Sequence, residues 1–168
     1  MGHSLAATCR RISTEALRLG KRHVLIPVPA GYKGWRKDAI KGVVESGLMS
    51  AREADQWVPC IDDLFPEAWK NFWLAQLPKL KPEVIVTLGA PWLLSLYSVA
   101  WQTGLRPGED FLAVTTDSPD LLRWLDPAPT MLSLPIKTMQ QHIVRWLRRP
   151  EPSRGHRFLE MRWPKSAK

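Results

Sequence analysis

Two charged residues stand where a side chain can grip a small polar molecule. Arg36 follows the apolar run His23 to Val28 (HVLIPV) and the turn-rich loop Pro29 to Gly34 (PAGYKG). Asp117 follows the run Phe111 to Val114 (FLAV) and the pair Thr115, Thr116. An arginine presents a planar fork of N–H donors to hydroxyls or a carboxylate, and an aspartate accepts from hydroxyls. Tyr32 and Trp35, beside Arg36, offer rings on which an apolar ligand face can stack. Gly89 and Ala90 close a third apolar run, Val84 to Leu88 (VIVTL). Each charged residue also has a plainer reading. Arg36 fits a surface helix charge, and Asp117 fits the N-cap of the turn that follows it, since Asp is a favoured cap.

Other chemistries find less support. His3, His23, His142 and His156 are scattered and form neither HExxH nor a metal pair, and no GxSxG elbow is present. The expectation is a chain that is not an enzyme and uses no metal or cofactor. Asp62 and Asp63 are adjacent carboxylates, but beside Leu64 and Phe65 they read as a turn or a helix cap. The loop PAGYKGWRK follows a strand and opens a helix, as phosphate loops do. It lacks both GxxxxGK[ST] and GxGxxG. Cys9 and Cys60 sit in no metal or CxxC spacing and read as reduced thiols of a cytoplasmic protein.

The elements that position these residues follow from periodicity. Ser4 to Leu19 has helical spacing, with Leu5, Cys9, Ile12, Ala16 and Leu19 on one face and Gly20 as a stop. HVLIPV reads as a buried strand, weakened by Pro27. Helices are expected over Trp35–Ser46, Glu67–Leu77 (stopped by Pro78), Pro91–Trp101 and Met139–Leu147, with a helical turn over Leu121–Leu125. Strands are expected at Trp57–Ile61, Val84–Leu88 and Phe111–Val114, a short extended piece at Met131–Leu134, and an edge strand at Arg157–Arg162. Alternation of this kind predicts an α/β fold, a parallel sheet with helices on both faces. Ligands then bind beyond the carboxyl ends of the strands, which is where the residues above stand. Trp92 and Leu94, on the helix after VIVTL, are candidates for a dimer face, with core packing as the alternative.

The chain has 168 residues and a net charge of +8, unevenly spread. Residues 1–41 hold nine Lys/Arg and two acids, and residues 145–168 hold eight and two. Such charge suits nucleic acid or, more simply, solvated helix faces. No run approaches the roughly 18 apolar residues that span a bilayer. The first 19 residues are broken by Arg10, Arg11 and Glu15, unlike a signal peptide.

The stretch Lys81 to Leu147 resembles the C-terminal half of the effector-binding domain of LacI/GalR-type bacterial transcription regulators. The pieces that carry the resemblance are GLRPGED, Gly104 to Asp110, and DPAPT, Asp126 to Thr130. LGKRHVLIPV resembles the family's strand entry, RKDAIKGVVESGL its Arg-bearing helix, and HRFLEMRWP its closing strand. The resemblance implies a periplasmic-binding-protein type I fold, Rossmann-like, with residues 1–126 as the C-terminal lobe. Residues 127–150 would form a crossover segment and helix, and residues 151–168 a basic tail. It implies a cytoplasmic homodimer that senses a small, sugar-like effector, with DNA bound only through a domain outside this chain and no membrane contact. Asp117 matches the family's effector-contacting aspartate. The family's arginine falls on Trp35 when counted back from Gly47-Leu48, with Arg36 one place along. Gly89 and Ala90 replace the usual Asn-Asp, and Leu134 stands where a Gln is frequent, so the effector need not be an ordinary sugar. A piece of a transport-type sugar-binding protein and a doubly wound enzyme are the competing readings.

Overall fold

The computed structural model describes residues 4–32, 34–62, 64–117 and 119–132, together with Lys137, Gln140, Gln141 and Val144. The expected helix at 139–147 and edge strand at 157–162, and most of the crossover and tail, lie outside the described residues. Helix α1 spans Leu5–Arg18, and the Ser4 hydroxyl accepts from the Ala7 N–H at its start. Strands β1 (Val24–Leu25) and β2 (Val28–Pro29) follow, then helices α2 (Trp35–Glu45) and α3 (Ala51–Trp57) and strand β3 (Cys60–Ile61). Helix α4 (Pro66–Leu80), strand β4 (Val84–Thr87), helix α5 (Ala90–Gln102) and strand β5 (Leu112–Thr115) come next. A 3-10 turn at Asp120–Trp124 and strand β6 (Thr130–Met131) complete them.

All pairings between these strands are parallel. One sheet has the order β1-β4-β5-β6, and β2 pairs with β3. A single extended segment serves both. His23 O accepts from the Glu83 and Val84 N–H groups on one side. On the other, Ile26, Val28 and Ala30 donate to Trp57, Pro59 and Ile61 at 2.8–2.9 Å. The backbone groups of residues 23 and 25 therefore face β4, and Pro27 and Pro29, next on that side, have no N–H to continue the ladder. The expected strand HVLIPV exists, split by its proline between two neighbours.

Both faces of the sheet are covered, as the alternation of residues requires. Val24, Ile26, Val84, Val86 and Val114 pack with Leu5, Cys9 and Ile12 of α1 and Ala39 and Val43 of α2. Leu25, Ile85 and Ala113 point the other way, into Trp69, Trp73 and Leu77 of α4 and Leu93, Leu96 and Tyr97 of α5. Burying a large side chain of this kind stabilises by roughly 1.5–3 kcal/mol, so these two clusters are what hold the sheet.

Two expectations are corrected. Trp57 ends helix α3 and does not begin a strand, and only Cys60–Ile61 pair. Helix α4 also runs through Pro78 to Leu80, closed by Lys81 at φ 46°. The backbone bond Pro78 cannot make would go to Leu74 O. Both residues are exposed, so that carbonyl faces water and the last turn survives.

Candidate functional site

The order of the strands sets the site. From the β1/β2 segment the chain crosses to β3 on one side, and from β3 it crosses back through α4 to β4 on the other. The helix after β1/β2 covers one face of the sheet and the helix after β4 covers the opposite face. This is a topological switch point, the place in open parallel sheets where loops leaving two neighbouring strands part and ligands generally bind. The loop with Tyr32, Trp35 and Arg36 leaves one of these strands, and Gly89 and Ala90 leave the other.

Asp117 is tied into this edge. Its Oδ2 accepts from the Ala90 N–H at 2.8 Å, and its own N–H donates to Thr115 Oγ1 at 3.2 Å. Gly89, the N-cap of α5, has no side chain to cap the helix. Asp117 supplies the missing acceptor from the next strand, and its negative charge meets the positive end of the helix dipole. A cap was expected for Asp117, but of the turn after it. The structure assigns it to α5. Asp117 is exposed, and its Oδ1 makes no hydrogen bond among the described residues. The structure thus brings three expected residues, Gly89, Ala90 and Asp117, into one cluster.

Arg36 is engaged elsewhere. Its Nε donates to Val58 O at 2.8 Å, and its Nη2 donates to Asp55 O at 3.1 Å and to the Asp55 carboxylate. The guanidinium thus fastens the start of α2 to the end of α3, and its hydrogen bonds go there and not to Asp117. Its side chain keeps 37% of its surface exposed. Tyr32 and Trp35 stack on each other at 4.2 Å, Tyr32 exposed and Trp35 half-buried against the core. They form one aromatic ledge at the rim.

Trp92 and Leu94 separate. The Trp92 ring stacks on Trp69 at 4.9 Å and 14°, packed inside the chain against both core clusters. Leu94 is 39% exposed. A Cβ on Gly89 would lie 3.1 Å from the Trp92 ring, so the glycine lets the chain pass over the indole. Sequence reasoning missed this support, although a glycine with a tryptophan three places on at a helix start was its visible sign. It also missed Asp55, because α3 itself went unrecognised. Among the described residues no group of three His, Cys, Asp or Glu can hold a metal ion, and no helix is long and apolar enough to cross a membrane.

No protein-family model and no curated protein matches the sequence. Solved structures do resemble the fold. A LacI family transcriptional regulator from Enterococcus faecium with bound ribose superposes with a TM-score of 0.72 at 15% identity, over 97% of this chain and 62% of that one. A PurR family transcriptional regulator from Vibrio parahaemolyticus gives 0.76 at 9% identity, over 98% and 62%. A sugar-binding LacI family regulator from Escherichia coli complexed with phosphate gives 0.73 at 10% identity, over 97% and 60%. The chain has the α/β fold of LacI-type effector-binding domains, the type I periplasmic-binding-like architecture. It spans 56% to 64% of the length of the similar solved chains.

Proposed function

We propose that this chain is the effector-sensing part of a LacI-type transcription regulator and takes a small polyhydroxylated, sugar-like molecule. The observation that carries the reading is Asp117, exposed at the carboxyl edge of adjacent parallel strands with one oxygen anchored to helix α5. An anchored carboxylate with an oxygen to spare is preorganised to accept from ligand hydroxyls. The Tyr32–Trp35 ledge supplies a stacking face, Gly89 and Ala90 allow close approach, and the exposed part of Arg36 adds donors at the rim. Residues 1–126 form the C-terminal lobe in this reading, 127–150 the crossover and 151–168 a basic tail. A second lobe and a DNA-binding domain in the full protein complete the cleft and the readout, in the cytoplasm. Ligand binding shifts a lobe-closure equilibrium that the DNA-binding part reports. The exposed apolar side chains Leu94, Trp101, Leu121 and Trp124 support self-association as a homodimer.

Trp fluorescence of the full-length protein, titrated with a panel of pentoses, hexoses and nucleosides, tests this. One class should quench or shift the emission. Asp117→Asn, which keeps an oxygen for the Ala90 N–H, should weaken binding about tenfold or more, the scale of a hydrogen bond to a charged group. Unchanged affinity in both Asp117→Asn and Asp117→Ala would remove Asp117 from the site. Turnover of any of these compounds would favour an enzyme.

A further inference from the structure

Strand β5 runs out into Thr115 and Thr116, whose backbone is locked on both sides. The Thr116 N–H donates to Thr87 O at 3.2 Å, and Thr115 O accepts from the Leu132 N–H at 2.9 Å. One residue further, the Asp117 N–H meets no backbone acceptor among the described residues and donates to Thr115 Oγ1 at 3.2 Å. Thr115 is fully buried, and so is Thr87, its register partner on β4. Valine would fill either place, since both residues are β-branched and suit a strand. A buried hydroxyl costs free energy unless it is hydrogen-bonded. At Thr87 that bond stays inside the sheet, a long one of 3.5 Å to Val114 O. At Thr115 the compensating bond is the one to Asp117. Packing gives no reason for a hydroxyl at position 115, and the Asp117 amide does.

We infer that Thr115 is the positioning residue of the strand-end site, its buried hydroxyl fixing the Asp117 backbone so that one carboxylate oxygen caps α5 and the other is held out for a ligand. This rests on the reading of Asp117 as a ligand acceptor. Asp117 stands beyond the last rung of the sheet and is held by two bonds of different kinds. Its amide is tied to Thr115, and its Oδ2 accepts from the Ala90 N–H at 2.8 Å. The amide bond sets where the side chain starts, and the Ala90 bond sets where it ends. Releasing the amide frees the backbone torsions of Asp117. The carboxylate then leaves Ala90 for part of the time, and the preorganisation of its second oxygen goes with it.

The test has a ligand-free arm and a binding arm. In the 168-residue chain, Thr115→Val should speed amide hydrogen exchange at Ala90 about fivefold, the scale of one hydrogen bond. Thr115→Ala, equally without a hydroxyl, should do the same, and Thr115→Ser should restore the parent rate. Thr87→Val, as buried and as conservative on the neighbouring strand, should leave Ala90 unchanged. In the full-length protein, ribose, glucose and adenosine are titrated by Trp emission. Thr115→Val should weaken the probe that binds about fivefold and add nothing further in an Asp117→Ala background, because it acts through Asp117. Parent-like exchange at Ala90 in both Thr115→Val and Thr115→Ala would overturn the inference. So would an affinity loss that persists undiminished in the Asp117→Ala background, which marks a packing effect. If no probe binds, or Asp117→Ala leaves affinity unchanged, the ligand reading of Asp117 fails, and the exchange rates still decide whether Thr115 holds it.

Discussion

Substituting Gly42 by alanine sets two rules against each other. Glycine inside a helix costs about 1 kcal/mol relative to alanine, so propensity alone predicts that Gly42→Ala stabilises the protein by that amount. The packing predicts the opposite sign. A Cβ at residue 42 would lie 2.2 Å from Ala6 O and 2.9 Å from Arg10 N, both backbone atoms of α1 that no rotamer change can move. Helix α1 must retreat by about 1 Å to restore ordinary contact, which loosens Leu5, Cys9 and Ile12 against Ala39 and Val43. Overpacking a core costs typically about 1–3 kcal/mol, and rigid obstacles belong at the upper end or beyond. Subtracting the gain in propensity leaves a net loss of about 2 kcal/mol. With a urea dependence of about 2 kcal/mol/M for a domain of this size, the midpoint should fall by about 1 M in an unfolding curve followed by far-UV circular dichroism. A midpoint equal to or above that of the parent protein would show that the α1–α2 crossing is not as tight as described.

Two further outcomes follow from the titratable groups. Glu83 accepts from the Arg22 and His23 backbone N–H groups at 2.8 and 3.1 Å, bonds that hold its carboxyl below the ordinary 4.5, with Lys21 and His23 charges adding to the effect. A lowered folded pKa contributes stability that is present above the unfolded value and is lost as pH falls through the folded one. Glu83→Gln should therefore be less stable than the parent at pH 7, by about 1 kcal/mol. The two urea midpoints should converge in acid below the ordinary carboxylate range, and a gap that persists there would refute the cause. Cys9 is fully buried, and burial, with the nearby Asp38 charge, pushes its thiol to about 12, whereas Cys60 is exposed. An aromatic disulfide reagent at pH 8 should label Cys60 promptly and Cys9 only on unfolding; two prompt equivalents would contradict the placement of α1.

The sequence was legible where one period dominates. Leu5, Cys9, Ile12 and Ala16 mark α1 within a residue of its observed ends, and the uninterrupted runs VIVTL and FLAV mark β4 and β5. Helix α3 was not seen because its seven residues bury only Ala54, too few to make a stripe. Its real signal was local. Ser50 and Glu53 form a capping box, with the Ser50 Oγ accepting from the Glu53 N–H and the Glu53 carboxylate accepting from the Ser50 N–H. Pro78 misled because it sits in the last turn on the exposed side of the helix, where the Leu74 carbonyl it leaves unpaired can tilt out to water. Strand ends and turn chemistry singled out Asp117, Gly89 and Ala90 in the sequence, and the fold brings the three together. The true partner of the Asp117 carboxylate lies 27 residues back, a contact made by sheet order, which no local pattern encodes. Arg36 was legible as a donor but not as a clasp, since its acceptors belong to the helix that went unseen.

The Trp69–Trp92 stack has a mechanical meaning. Trp92 is held against the side chains on both sides of the sheet while its ring lies directly beneath Gly89. Any load on the start of α5 meets a broad, stiff plate there, not a yielding aliphatic chain. The plate rests on α4 through Trp69. A displacement of that one small loop would press on α4 as well as α5, and it would do so through an indole pair whose emission depends on its surroundings.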